Sequence, residues 1–248
     1  INRLHSVVTK ERRKKMPFQT SFNPNGRKEL KHAISKAEYY VLRRKLQHFL
    51  ELDPNAGPNG KYLIRSTYFD NFDNKVLNEK KEGYINRDKY RVRIYGKSSS
   101  VIHLERKSKR NNLTFKSKCR LTQKEFEQIR LGEIEWMETD ERKLLRDLFF
   151  NMKYHQLKPM VVVDYEREAW MFPFGNVRIT FDMKVQSSIR NTDMFNKHLP
   201  MVDVLEPNLV ILEVKYDDYL PEVVKHLLQI SDTQAESYSK YQLSRMYI

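Results

Sequence analysis

Tyr90-Arg91-Val92-Arg93-Ile94-Tyr95, Ile102-His103-Leu104-Glu105-Arg106-Lys107 and Phe115-Lys116-Ser117-Lys118-Cys119-Arg120 are three short apolar segments that carry charge at every second residue. Side chains alternate faces along a strand, so Arg91 and Arg93 share one face while Val92 and Ile94 share the other. By the same rule His103, Glu105 and Lys107 oppose Ile102 and Leu104, and Lys116, Lys118 and Arg120 oppose Phe115 and Cys119. A solvated outer face accounts for one such strand. Several in succession point to a sheet whose charged face encloses an anion.

Working outward, the turn residues Gly96 to Ser100 and Asn111-Asn112 separate these strands in the manner of consecutive antiparallel hairpins. Upstream, Arg27-Lys28-Glu29-Leu30-Lys31-His32-Ala33-Ile34 alternates again and runs into Ser35, which with Glu38 forms a capping-box pattern. A helix follows, with Tyr40, Val41, Leu42, Leu46, Phe49 and Leu50 predicted on its apolar side, and it ends in the breaker-rich stretch Asp53 to Gly60. Tyr62 to Asp70 reads as a strand and Phe72 to Glu79 as a short polar helix. Downstream, Thr122 caps a helix to Arg130 with Glu125 at the box position, and Asp140 to Met152 supplies a second helix with Leu144, Leu145, Leu148 and Phe149 on its buried face. Strands return at Met160 to Arg167, at Val177-Arg178-Ile179-Thr180-Phe181-Asp182 and at Val210-Ile211-Leu212-Glu213-Val214-Lys215. Pro221 opens a helix over Glu222 to Gln229, and Ser237 to Tyr241 leads into a final short apolar segment.

The 248 residues carry 46 Lys and Arg against 32 Asp and Glu, a net charge of +14 that favours polyanionic partners. The single cysteine, Cys119, excludes an intrachain disulfide framework and a cysteine metal cluster, so a cytoplasmic protein is expected, or one at the cytoplasmic face of a membrane. No stretch resembles a signal peptide or a membrane-spanning run of about 18 apolar residues. No linker or internal repeat splits the chain, which reads as a basic N-terminal arm over 1–17 and a single domain over 18–248. The arm, Lys10 to Lys15 included, reads as solvated rather than as a specific nucleic-acid contact.

On the polar faces the cations are Arg27, Lys31, Arg91, Arg93, Lys107, Lys116, Lys118, Arg120, Arg178 and Lys215, against the acids Glu29, Glu105, Asp182 and Glu213. Such an excess is unstable in an enclosed space without counter-charge, because like charges repel strongly where water is scarce. A chain of phosphates supplies that charge. Arginine grips phosphate oxygens bidentately, lysine acts as a point charge, and carboxylates hold a divalent metal that bridges phosphate oxygens. No Ser-His-Asp or Cys-His set is evident, and none of His32, His48, His103, His155, His198 and His226 has ligand spacing. His103 alone shares a face with Glu105 and Lys107.

The chain resembles the polyphosphate-polymerase domain VTC of the triphosphate tunnel metalloenzymes. The resemblance rests on Ser66 to Asn71, Tyr90 to Gly96, Leu104 to Lys107, Lys116-Ser117-Lys118, Val177 to Asp182, Leu212 to Lys215 and Ser239-Lys240-Tyr241, in that order, and covers about Arg27 to Tyr247. It implies an α+β fold: a closed antiparallel eight-stranded β-barrel, a triphosphate tunnel, flanked by α-helices. It implies a catalytic, phosphate-gripping set of Arg91, Arg93, Lys107, Lys118, Arg178 and Lys240. Lys31 matches the lysine of the family's N-terminal strand, and Arg27, Tyr68, Lys116, Arg120, Arg167 and Lys215 are further candidate substrate contacts. Glu213 is the implied ligand of Mn²⁺ or Mg²⁺, with Glu29, Glu105 and Asp182 as candidate helpers. Related tunnel enzymes carry two glutamates and a lysine on that first strand. Here Arg27 occupies the first place and leaves Glu29 as the one acid, as in the polymerase branch.

The expected function is therefore transfer of the γ-phosphate of ATP to a growing inorganic polyphosphate chain, with a membrane complex as a further partner and no specific nucleic acid. Two alternatives stay open. One is a metal-dependent hydrolase of tripolyphosphate or nucleoside triphosphate, with Glu29 or Glu105 holding the water; the other is a non-catalytic polyphosphate-binding module. Tyr39 and Tyr40 are expected in the core rather than stacked on bases.

Overall fold

The computed structural model describes residues 21–22, 26–96, 100–228 and 239–245. The basic arm and the residues after Arg245 lie outside the described residues, as do Lys97 to Ser99, Gln229, Ser237 and Tyr238.

In chain order the described elements are β1 (Ser21–Phe22), β2 (Lys28–Ser35), α1 (Lys36–Leu46), β3 (Glu51–Leu52), β4 (Lys61–Asp70), α2 (Lys75–Lys81), β5 (Arg87–Tyr95), β6 (Ile102–Arg110) and β7 (Leu113–Leu121). Then follow α3 (Gln123–Leu131), α4 (Lys143–His155), β8 (Lys158–Phe172), β9 (Val177–Ser188), β10 (Met201–Asp203), β11 (Leu209–Tyr216), α5 (Glu222–Leu228) and α6 (Lys240–Ser244). All strands join one antiparallel sheet in the order β1-β7-β6-β5-β4-β8-β9-β11-β2, with β10 on β9 and β3 on β8.

The sheet is not closed by an unbroken ladder, as a barrel with eight fully paired strands would be. The N-terminal segment divides its hydrogen bonds instead. Ser21 and Phe22 pair with Lys118 and Ser117 of β7, whereas Lys28 to Ser35 pair with β11. Between them Arg27 meets Thr114 of β7 at one isolated bridge, with backbone hydrogen bonds of 3.0 and 3.1 Å.

Local signals explain most element boundaries. Ser35 accepts from the Glu38 amide at 3.2 Å while Glu38 accepts from the Ser35 amide at 2.7 Å, and Thr122 and Glu125 repeat the arrangement at α3. Asn111 and Asn112 turn β6 into β7 with φ of 45° and 67°, the left-handed pair that a tight hairpin needs. The helix after Asp140 starts later than the pattern predicts, at Lys143, because the Asp140 carboxylate accepts the Arg142 amide in a turn of its own. The helix expected from Phe72 starts at Lys75, where Asp70 caps the Val76 and Leu77 amides at 2.8 and 3.2 Å.

The helices cover the apolar face of the sheet. Phe126 and Ile129 of α3 and Leu144, Leu145 and Leu148 of α4 pack in one core with Val92, Ile94, Leu104 and Cys119. Burial pushes the Cys119 thiol up to about 12, as suits a side chain turned to these helices. Across the sheet, α1 and α5 form a second core with Ile179, Phe181, Leu212 and Val214. There α1 buries Tyr39, Leu42 and Leu46, positions three and four apart. Tyr40, Val41 and Phe49, expected on the buried side, are more than half exposed. The buried stripe is centred one residue earlier than the pattern suggested, and α1 ends before Phe49.

An ion pair sits deep within the apolar side: Arg65 donates two bonds of 2.8 Å to Asp164 and bonds of 3.1 and 2.8 Å to the carbonyls of Met194 and Asn196. It ties the segment before β10 to β4 and β8. Arg65→Ala leaves Asp164 buried and uncompensated and is expected to cost about 3–5 kcal/mol, read as a lowered urea midpoint at unchanged slope.

Candidate functional site

The opposite face of β5, β6 and β7 is ruled by register. Directly opposed residues form successive rows: Arg93, His103 and Arg120; Arg91, Glu105 and Lys118; Lys89, Lys107 and Lys116; then Arg87, Lys109 and Thr114. Alternation keeps every one of these side chains on the same side of the sheet.

Glu105 is the main anion of the first three rows. It is 1 % exposed and binds Arg91 at 2.7 Å, Arg93 at 3.7 Å and Lys116 at 2.5 Å. Burial opposes its charge, but Arg93, Arg91 and Lys116 outweigh burial and hold the carboxyl well below the usual range. Arg93 also donates to Ser66 Oγ at 3.2 Å and Tyr165 OH at 2.8 Å, and Arg91 to Tyr68 OH at 3.3 Å. Burial raises the Tyr68 phenol's pKa, yet Arg91, Arg93 and Lys240 bring it below its ordinary value.

Across the site, β2, β9 and β11 carry the other acids. Glu213 binds Lys31 at 2.9 Å and Lys215 at 3.0 Å and lies 3.7 Å from Arg167. Glu29 binds Lys107 at 2.5 Å and lies 3.7 and 3.5 Å from Lys31 and Lys215, so the two glutamates share both lysines. Asp182 takes both ends of Arg167, at 2.6 and 2.7 Å, and also Lys240, whose ammonium lies 4.6 Å from the Tyr165 ring centroid. Glu29 is held below the carboxylate range by Lys107 and Lys31 against burial and the charge of Glu213, and Glu213 is held well below it against burial by Lys215 and Lys31. Asp182 is likewise lowered against burial by Arg167 and Lys240.

The sequence-predicted residues thus fall into groups. Arg91, Arg93, Lys116, Glu105 and Tyr68 come together, as do Lys31, Lys107, Lys215, Glu29 and Glu213, and Arg167 links Glu213 to Asp182 and Lys240. Lys118 and Arg120 lie on the same face with exposed side chains. Arg178 instead binds Asp53 and donates to Tyr62 OH at 3.0 Å. Arg27 binds Asp217 at 2.9 Å and the Asn176 carbonyl, at the margin. Burial and Lys118 push His103 below its ordinary value, so it is neutral near pH 7. Several members escaped the sequence reading, Lys89, Tyr165 and Asp53 among them. Lys89 continues the Arg91-Arg93 alternation and could have been found by it; Tyr165 and Asp53 carry no sequence signal, because only folding brings them to the arginines.

Among the described residues no group of three or more His, Cys, Asp or Glu side chains is placed to hold a metal ion. The donor set nevertheless suits a hard divalent cation shared with a phosphate ligand, since Mg²⁺ and similar ions use one or two carboxylates and take their other oxygens from water and phosphate. Glu29 Oε1 is buried without a hydrogen-bond partner beside Glu213, which leaves lone pairs for such an ion.

The lysines report the positive excess. Burial, with Lys107 and Lys31 next, pushes Lys89 down to about 7; burial pushes Lys116 to about 7 and Lys107 to about 8 against the help of Glu105 and Glu29. The unfolded chain binds more protons than the folded one between those values and about 10.4. Stability of the ligand-free protein is therefore expected to rise from pH 7 to 9 by thermal melting.

Comparison with known proteins accords with this geometry. A candidate adenylate cyclase from Bacillus halodurans superposes with a TM-score of 0.50 at 14% identity, over 88% of this chain and 97% of that one. A candidate adenylyl cyclase from Hippeastrum, reported to have a dominant triphosphatase activity, superposes with a TM-score of 0.51 at 11% identity, over 88% of this chain and 94% of that one. At such identities they share the fold. No curated protein matches the chain by sequence. The family model of the VTC domain matches residues 26–247, nearly the whole chain, and the chain therefore belongs to the VTC domain family.

Proposed function

We propose that this chain is a phosphotransferase that extends inorganic polyphosphate with the γ-phosphate of a nucleoside triphosphate, inside a tunnel formed where the two flanks of the sheet meet at Arg27 and Thr114. One observation carries the choice of reaction: Glu29, Glu105, Asp182 and Glu213 are each ion-paired with a cation at 2.9 Å or less, which holds them below the ordinary carboxylate range. A carboxylate with a depressed pKa is a poor base for taking a proton from water. The attacking group must then arrive already ionised, as the terminal phosphate of a polyphosphate chain does.

In the proposed reaction a terminal phosphate oxygen attacks the γ-phosphorus, a new P–O–P bond forms, and the bond to the β-phosphate breaks, releasing the nucleoside diphosphate. Arg91 and Arg93 bind and neutralise the transferring group, and Glu105 and Tyr165 hold their guanidinium planes in place. Lys107, Lys116 and Lys118 bind the chain; Arg167 and Lys240 face it from β8 and α6, and Arg178 and Arg120 stand toward the ends. Tyr68, acidified by its cationic neighbours, is an additional donor to phosphate oxygen. Lys31 and Lys215 compensate the charges of Glu29 and Glu213, the residues that would hold a divalent cation, Mg²⁺ or Mn²⁺. When bound there, that ion would supply charge neutralisation to phosphate oxygens.

Incubation with ATP and divalent metal is expected to yield long polyphosphate on a gel; orthophosphate without any chain refutes the polymerase reading in favour of a hydrolase. Glu213→Gln is expected to abolish metal-dependent turnover in a protein that still folds, with a lowered melting temperature because Lys31 and Lys215 lose a buried counter-charge. Arg93→Ala, which loses charge-assisted bonds to the transferring group, is expected to lower kcat/KM at least about a hundredfold.

A further inference from the structure

Along β5 the charged face repeats every second residue, from Arg93 through Arg91 and Lys89 to Arg87, and successive rows stand about 6.6–6.8 Å apart. The four rows therefore run about 20 Å, longer than a triphosphate needs. The rows differ in how their charge is answered. Arg93 and Arg91 have Glu105. In the next row Lys89, Lys107 and Lys116 stand directly opposite one another across two ladders, where like charges destabilise a sheet. Lys107 has Glu29 and Lys116 has Glu105. For half-buried Lys89 the hydrogen-bond partner is a neutral one, Ser239 Oγ at 3.3 Å, and no carboxylate among the described residues lies within ion-pair distance of it. Ser239 caps α6, so Lys89 lies beside the helix that carries Lys240.

We propose that Lys89, together with Lys107 opposite it, forms a further phosphate subsite next to the arginine rows, which holds inner units of linear phosphate chains longer than a triphosphate. The proposal rests on the polyphosphate reading above and adds chain-length selectivity to it. A triphosphate seated on Arg91 and Arg93 leaves this row empty, whereas a longer chain continues along the face and supplies the missing counter-charge. Burial and the nearby cations hold Lys89 at about 7, so chain binding near neutral pH draws a proton onto its amine.

The test is calorimetric binding of linear phosphate, as the triphosphate and as long chains, without ATP and in buffers of different ionisation heat. Loss of one charge-assisted bond predicts that Lys89→Met weakens long-chain binding about tenfold and triphosphate binding less than about threefold, and reduces proton uptake on long-chain binding. Lys89→Arg should restore the length preference and keep uptake low, which a merely structural role at Ser239 would not produce. Equal losses for both lengths, no loss for long chains, or an Arg variant without length preference overturns the subsite. Because no turnover is involved, a protein that makes no polyphosphate yet shows this length dependence refutes only the polymerase reading. A polymerase whose binding is indifferent to Lys89→Met refutes only the subsite.

Discussion

Cations placed directly opposite one another across an antiparallel ladder repel, and on β5, β6 and β7 the register makes that repulsion unavoidable. The fold answers it with a small number of buried carboxylates, each shared among several cations. Glu105 serves Arg91, Arg93 and Lys116, and Glu29 and Glu213 share Lys31 and Lys215. Each pairing is costly to desolvate and would be costlier to break, so the network specifies the register more than it adds stability. The positive charge left over, together with burial, depresses the pKa values of Lys89, Lys107 and Lys116.

The other side of the sheet gives the network its rigidity. Arg93 stands between Val92 and Ile94, both fully buried against α3 and α4, so its backbone cannot shift without disturbing that core. Lys240 is fixed from another direction. Its neighbour Tyr241 stacks on Tyr68 with centroids 5.6 Å apart and donates at 2.7 Å to Asp70, the residue that also caps α2. A short C-terminal helix thereby carries a lysine into a site built mainly by strands, and Arg245 adds a bond of 2.8 Å to Asn74.

The same electrostatics bears on chemistry. Cations that keep the acids ionised also weaken them as bases, which favours a nucleophile that needs no deprotonation. Positioning and charge neutralisation are what the proposed phosphoryl transfer would chiefly ask of a protein, and a face of fixed arginines suits both. No helix among the described residues is long and apolar enough to cross a membrane.

Much of this was legible in the sequence, because strand alternation is a local property. The charges at Arg91, Arg93, Glu105, Lys107, Glu213 and Lys215 mark one face whatever the strand order, and the Ser35 and Thr122 capping boxes mark helix starts within four residues. The α1 stripe was read one residue out, placing Tyr40 and Val41 inside, since a short helix with many apolar residues permits two neighbouring faces. Which cation meets which acid was not legible. That Glu29 meets Lys107, that Asp182 is spent on Arg167 and Lys240, and that Tyr165 touches Arg93 depend on strand order and register over separations of 15 to 78 residues. The sequence by itself determined a basic, alternating face and the helices that cover its back. The tertiary structure decided the ion-pair partners, and with them which charges remain for a ligand, because Coulomb energy depends on distance in space and not along the chain.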